Sequence, residues 1–181
     1  MKLRTLPLTL ALLVGSALGA SAQTLYFSAI PDEDETRLVE RFSAVADYLE
    51  GELGVDVQFV PVKSYAASVT AFRNNQIQLA WFGGLTGVQA RLAVPDARAI
   101  AQGKEDPIFV SYFIANTETG LEPSGDFPEE ARGMSFTFGA KTSTSGRLMP
   151  EYHIRKETGE APEEFFGRVG FSGDHSQTLR L

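Results

Sequence analysis

A strand–helix–strand pattern fills residues 25–61, which read LYFSAIPDEDETRLVERFSAVADYLEGELGVDVQFVP. An apolar run stands at each end, at 25–30 and 55–60, and a proline follows each run, as is typical of short buried strands. Between them, residues 35–53 place apolar side chains near a 3.6-residue period with charges in between, which predicts an amphipathic helix ended by Gly54. Two such strands joined by a helix predict parallel pairing, because parallel strands need a long crossover connection.

The same alternation continues after this unit. Ser64 is placed to cap a helix over residues 65–74, and the apolar run 77–82 predicts a third strand. Gly83 and Gly84 then turn the chain into another helix. Apolar character predicts two more strands, at 97–101 and 109–115. Apolar runs that alternate with amphipathic helices predict an α/β fold whose parallel sheet is covered on both faces.

A change in composition near Asn116 predicts a boundary between two lobes. Residues 117–128 are rich in Thr, Glu, Gly, Pro and Ser and read as a connector. A second alternation follows: strands at 134–138 and 168–171, a helix from Thr144 to about Glu157 broken by Gly159 and Pro162, and a last helix opened by Gly173 and Asp174. We therefore expect an α/β lobe I over residues 23–116, an α/β lobe II over 117–181, and a cleft between them.

The N-terminus has the pattern of a secretory signal peptide over residues 1–22. Lys2 and Arg4 precede a short apolar run, and Ala20 and Ala22 provide the small-residue cleavage pattern. A transmembrane anchor is the alternative, but the run is short and broken compared with the roughly 20 residues that span a bilayer. The pattern predicts a periplasmic or other extracytoplasmic location.

Composition limits the partners. The chain carries 16 basic and 23 acidic residues, a net charge of -7, which argues against nucleic acid and anionic membranes as partners. It contains no cysteine, so disulfides, thiol nucleophiles and thiolate metal sites are excluded. With 43% hydrophobic residues it can bury a core without such cross-links.

Enzyme motifs are largely missing. No G-x-G-x-x-G or P-loop pattern occurs, and the glycines around Ser172 do not have the spacing of a nucleophile elbow. His153 and Glu157 share a helix face at i,i+4, which is the spacing of a metal-ligand pair but also of an ordinary solvated face. We predict no catalytic residue, no cofactor and no metal.

The informative segment is KTSTSG, residues 141–146. It lies between a predicted strand and a predicted helix, so several hydroxyls and free backbone N–H groups converge at a helix N-terminus, where an anion is favoured. Plain capping by one Ser or Thr is the simpler explanation. Three hydroxyls and a glycine exceed what a cap needs, and hydroxyls can donate to an anion without adding charge.

Four blocks carry a family resemblance in the same order. They are YAA at 65–67, IQLAWFG at 77–83, STSG at 143–146 with Pro150, and SGDH at 172–175. Together they resemble the phosphonate- and phosphite-binding proteins of ABC importers, which are type 2 periplasmic binding proteins. Some relatives with this general pattern are described as selenate importers. The resemblance implies two α/β lobes that close on an oxyanion and an ABC transporter permease as partner, and we expect a monomer.

The resemblance also implies ligand-binding positions. Ser143, Thr144 and Ser145 match the family's ligand cradle, and Tyr65 matches a tyrosine of the other lobe. Phe109 matches an aromatic cleft position that is a tyrosine in aminophosphonate binders, and His175 stands where those proteins have an acidic residue for the ligand's amine. A histidine cannot supply that negative charge, so a compact oxyanion is favoured over an aminophosphonate: phosphite, phosphate, a small phosphonate or selenate.

Two other function classes stay open at this stage. A sensor or adhesin can use the same binding fold without an importer. A hydrolase would use His175 as general base beside Ser143 or Ser145, although no residue in the sequence is placed to orient such a base. Family members continue further at the C-terminus, so we expect lobe II to be incomplete and to expose apolar edges.

Overall fold

Two small parallel sheets form the framework of residues 23–181, the part of the chain that this computed structural model describes. The predicted signal peptide, residues 1–22, lies outside the described residues. The first sheet contains β1 (Leu25–Ala29), β2 (Val57–Phe59) and β3 (Leu79–Trp81) in the order β2-β1-β3. Both pairings are parallel, as the strand–helix–strand pattern predicted.

Three helices accompany this sheet and complete what we call the N-terminal unit. They are α1 (Glu35–Leu53), α2 (Tyr65–Arg73) and α3 (Gly84–Ala93). Helix α1 has the predicted bounds, because both ends are specified locally. The Asp34 side chain accepts a hydrogen bond from the Thr36 N–H, and Gly54 adopts the left-handed conformation at φ 65°. Its apolar stripe, including Leu38 and Phe42, packs on Phe27 of the central strand.

The second sheet pairs β4 (Ser135–Phe138) with β5 (Arg168–Phe171) in parallel. The C-terminal unit adds a single π-helical turn, Thr144–Leu148, and three helices: α4 (Met149–Thr158), α5 (Pro162–Phe165) and α6 (His175–Thr178). The predicted helix from Thr144 thus begins with a π turn, and Pro162 opens a short helix instead of only breaking one. Its core is aromatic, with Phe138 and Phe165 fully buried beside Ile154.

The strands predicted at 97–101 and 109–115 are wrong. In the described structure the first range has no regular structure, and the second follows a 3₁₀ turn at Asp106–Ile108 as an irregular, unpaired segment. Its side chains are exposed, with Tyr112 at 83%, although the Phe113 ring also contacts the rings of Phe127 and Phe136. Apolar character alone does not make a strand, because a strand needs a neighbouring backbone to receive its hydrogen bonds. Within residues 23–181 no strand pairs with either range.

The predicted connector at 117–128 contains one 3₁₀ turn, Thr117–Thr119, and is otherwise irregular. The division into lobes at residues 116 and 117 stays a prediction. Among the helices of residues 23–181, none is long and apolar enough to span a bilayer.

Candidate functional site

The carboxyl ends of β1 and β4 face each other across the two units. Ile30 follows β1 and Ala140 follows β4, and both are buried in one small cluster with Tyr65, against which Phe82 also packs. Loops that leave the carboxyl ends of parallel strands are where α/β proteins place their ligand sites. The predicted cradle leaves β4 at this point, so the fold brings it to the N-terminal unit.

Tyr65 is the first residue of α2 and lies at the centre of this contact. Ser64 caps the helix by accepting a hydrogen bond from the Ala67 N–H at 3.1 Å, and Tyr65 is only 3% exposed. Burial raises the pKa of Tyr65 to about 12, an effect that the interaction with the Ser143 side chain opposes and that the negative charges of Asp32 and Asp174 reinforce. The phenol is therefore a neutral hydrogen-bond donor at any physiological pH.

Ser143 is 2% exposed and precedes the π turn. Its Oγ accepts a hydrogen bond from the Gly146 N–H at 3.0 Å, which is the capping role that the simpler explanation of the segment required. The same side chain also interacts with the Tyr65 hydroxyl of the other unit. Ser143 thus caps its own helical turn and, at the same time, belongs to a cluster of hydroxyls shared by both units.

Thr144 forms a hydrogen bond with the N-terminal unit, and its predicted role in the ligand cradle stays a prediction. Its Oγ1 accepts a hydrogen bond from the Leu85 N–H at 2.7 Å, at the N-terminus of α3. Ser145 contacts the segment before the connector through its backbone, because its carbonyl accepts a hydrogen bond from Ser111 Oγ at 3.0 Å. The three consecutive hydroxyl residues therefore contact three different parts of the molecule.

His175 is the first residue of α6, and its imidazole lies beside the hydroxyl cluster of Tyr65 and Ser143. Its backbone N–H donates to the Asp32 carbonyl at 3.0 Å, which ties the C-terminal unit to the loop after β1. The imidazole borders Gly146: a Cβ built on that glycine would lie 3.2 Å from His175 Cε1 and 3.1 Å from Ser143 Oγ. The imidazole and the Ser143 hydroxyl thus flank one glycine in the middle of the π turn.

Phe109 is not brought to this cluster. It is 66% exposed and lines an open groove of about 260 Å³ together with Tyr112, Met149 and His153. A second open groove, of about 430 Å³, lies between α1 and α6 and is lined by Arg37 and Arg180, among others. The proposed role of Phe109 in ligand binding stays a prediction.

Sequence reasoning missed two features of the site. The first is the N-terminus of α3, where Gly84 approaches Thr144 so closely that a Cβ there would lie 3.2 Å from Oγ1. The second is Gly139, whose N–H donates to the Gly146 carbonyl at 2.8 Å, holding the π turn against the end of β4. The signal for both was the glycines themselves: Gly84 leaves room for the Thr144 side chain, and Gly139 leaves room for the Gly146 backbone.

A metal site has no support among residues 23–181, where no three His, Asp or Glu side chains are grouped so that they could hold an ion. His153 packs edge-on against Tyr152, and Glu157 forms an ion pair with Lys156. The i,i+4 pair of His153 and Glu157 therefore has the surroundings of a solvated helix face.

Two α/β units that meet around neutral hydroxyl donors define a solute-binding protein of the periplasmic type. The family described as "ABC transporter, phosphonate, periplasmic substrate-binding protein" matches residues 27–181, and the chain belongs to this family. The family consists of substrate-binding proteins and not of enzymes, so the chain is assigned no catalytic residue.

Among curated relatives, the chain is 40% identical over 165 residues to the probable ABC transporter phosphite binding protein PhnD1 of Prochlorococcus marinus, covering 90% of this chain and 55% of the relative. It is 25% identical over 146 residues to the phosphonates-binding periplasmic protein of Escherichia coli, covering 79% of this chain and 43% of that protein. The chain therefore spans about half the length of the curated relatives it matches.

Solved structures give the same fold. PhnD1 from Prochlorococcus marinus, solved in complex with methylphosphonate, superposes with a TM-score of 0.70 at 36% identity, covering 86% of this chain and 58% of that one. A binding protein component of an ABC phosphonate transporter from Pseudomonas aeruginosa superposes with a TM-score of 0.63 at 20% identity, covering 87% and 52% respectively. The second likeness concerns the fold alone.

Proposed function

We propose that the chain binds a compact phosphorus oxyanion, phosphite or a small phosphonate, between its two units and delivers it to the permease of an ABC importer. The observation that carries this proposal is the meeting of Tyr65 and Ser143 from opposite units, with the His175 imidazole beside the same π turn. These groups are donors that a tetrahedral anion needs, and they lie where the carboxyl ends of the two sheets face each other.

The hydrogen-bond donors at this contact would hold an anion without a fixed positive charge. Backbone N–H groups at the start of a helical turn and neutral hydroxyls stabilise a bound oxyanion when the surrounding water is excluded. Tyr65 stays protonated because burial raises its pKa to about 12, so it can always donate. The nearby carboxylates of Asp32 and Asp174 oppose a high negative charge, which suits a ligand that is released again.

The names of the relatives and the presence of His175 support the proposed ligand class. The names of the relatives include phosphite and phosphonates, and a third relative, from Mycolicibacterium smegmatis and 28% identical over 140 residues, is called a phosphate-import protein. Selenate appears in none of these three names, and we place it below the phosphorus anions. His175 cannot supply the negative charge that an aminophosphonate's amine requires, so a ligand without an amine is favoured.

Residues 23–116 and 117–181 are proposed to act as lobes that close on the ligand, in the periplasm, with the chain monomeric. Phe109 and Ser145 are kept as candidate ligand residues. Export through residues 1–22 is part of the same proposal and is supported by the sequence pattern alone.

Titration calorimetry tests this function directly, with phosphite, methylphosphonate, phosphate, selenate and sulfate as separate ligands. Phosphite and methylphosphonate should bind and raise the melting temperature, since a ligand at 100 times its Kd stabilises a protein by about 2.7 kcal/mol. Sulfate, which is tetrahedral but carries no phosphorus, is the matched control. If no phosphorus anion binds, or if sulfate binds as tightly, the proposed ligand class is wrong.

A further inference from the structure

The N-terminus of α3 has an unusual arrangement. Its N-cap residue is Gly83, which has no side chain with which to cap the helix. The first hydrogen bond within the helix runs from the Gly87 N–H to the Gly83 carbonyl at 2.8 Å, so the Leu85 N–H lies before the intrahelical ladder and needs another acceptor. That acceptor is Thr144 Oγ1 at 2.7 Å, from a position 59 residues further along the chain.

We infer that Thr144 caps α3 from the opposite unit, so that this hydroxyl, together with the backbone contact of His175 with Asp32, sets the relative position of the two units at the ligand site. Thr144 is a positioning residue in this role, because its oxygen accepts from Leu85 while its single hydroxyl hydrogen stays available to a ligand. The link to a ligand rests on the proposed function. The capping contact itself does not, because it forms between two parts of this chain.

The glycines around the contact support this role. A Cβ on Gly84 would lie 3.2 Å from Thr144 Oγ1 and 3.5 Å from its Cγ2, whereas a Cβ on Gly83 would lie 3.7 Å from the same oxygen. A side chain at position 84 would therefore require the threonine side chain to shift by a few tenths of an ångström. A hydroxyl that accepts the helix's free N–H also does what the missing cap side chain would do, since an N-cap oxygen normally bonds the second or third N–H.

As a consequence, the Thr144–Leu85 contact between the two units and the binding of an oxyanion should stabilise each other. An oxyanion that accepts from the Thr144 hydroxyl holds the side chain in the orientation that also bonds Leu85. Conversely, the bond to Leu85 restricts the side chain before the ligand arrives. A change at Gly84, which the inference places outside direct ligand contact, should therefore weaken binding.

Amide hydrogen exchange at Leu85 tests the cap without any ligand. In the full wild-type chain the Leu85 N–H should be protected, and Thr144→Val should speed its exchange by roughly ten-fold, because the isosteric side chain offers no acceptor. Thr144→Ser keeps the hydroxyl and should keep the protection. If the Leu85 N–H is unprotected in the wild type and exchanges at the same rate in Thr144→Val, the inference is wrong.

A pair of glycine variants tests the coupling to binding and stays informative if Thr144→Val fails to fold. Gly84→Ala should displace the threonine, reduce Leu85 protection and weaken phosphite binding by roughly ten-fold, although alanine favours the helix. Gly87→Ala shares the helix-favouring change, but its Cβ would meet only Phe82 Cβ at an ordinary 3.6 Å, so it should bind like wild type. Unchanged Leu85 protection in Gly84→Ala would overturn the cap, and equal phosphite affinity of the two variants would overturn the coupling.

The two proposals fail in different ways. If wild type binds phosphite but Leu85 is unprotected, the cap is wrong and the proposed function stands. If no oxyanion binds but Leu85 loses its protection in Thr144→Val, the cap stands and the proposed ligand is wrong.

Discussion

Ser143→Ala is the substitution that separates a ligand donor from a helix cap. The Ser143 side chain is almost fully buried, its Oγ accepts from the Gly146 N–H at 3.0 Å, and it interacts with the Tyr65 hydroxyl. Alanine removes all of these interactions and leaves a backbone N–H and a phenol short of a partner. The variant should therefore lose both folding stability and affinity.

The two losses have different expected sizes. Loss of an N-cap costs about 1 kcal/mol, and leaving a buried donor unsatisfied costs about 1–3 kcal/mol, so we expect a decrease of about 2 kcal/mol in the free energy of unfolding. Loss of a hydrogen bond to a charged acceptor costs about 1.5–3 kcal/mol of binding free energy, which is roughly ten- to a hundred-fold in Kd for phosphite.

Ser64→Ala is the matched control. Ser64 also caps a helix by accepting a hydrogen bond from the N–H three residues further along the chain, that of Ala67 at 3.1 Å, and this contact lies within α2. It should lose about 1 kcal/mol of stability and keep its affinity within roughly two-fold. Urea unfolding measures the stability of both variants, and calorimetry with phosphite measures their affinity.

If Ser143→Ala loses stability as Ser64→Ala does but binds phosphite like wild type, Ser143 is only a cap and the hydroxyl cluster is not the site.

Three further predictions concern Tyr65, the N-terminus of the exported protein and the exposed apolar segment. Tyr65→Phe should weaken phosphite binding roughly ten-fold. In an alkaline absorbance titration, the variant should lack the tyrosine that has a pKa of about 12 in the wild type. Because burial raises this pKa, the stability that the neutral phenol provides is fully present below about pH 10 and is lost as the pH rises through 12, which unfolding at alkaline pH measures. Exported protein should begin at Gln23, and mass spectrometry that finds Met1 on a membrane-bound product would contradict the predicted cleavage. Folded residues 23–181 should bind a hydrophobic dye, because Phe109, Tyr112 and Ile114 are exposed; a folded protein that binds no dye would contradict this expectation.

The sequence by itself determined the elements whose ends and faces are specified locally. Helix α1 has its predicted bounds because its cap, its apolar stripe and Gly54 lie within its own stretch of chain. Strand β5 likewise spans the predicted Arg168–Phe171. The parallel pairing of both sheets follows from crossover connections that are visible in the pattern. The family resemblance, confirmed by the match over residues 27–181, directed attention to Tyr65, Ser143 and His175.

Only the tertiary structure decided what each of these groups contacts. Thr144 looked like Ser143 in sequence, but it accepts from Leu85 because the docking of the two units places an uncapped helix beside it. The apolar segments at 97–101 and 109–115 looked like strands, yet they are unpaired in the described structure. The physical reason is the same in both cases: a hydrogen bond needs a partner, and a partner that is distant in sequence is supplied only when separate parts of the chain come together.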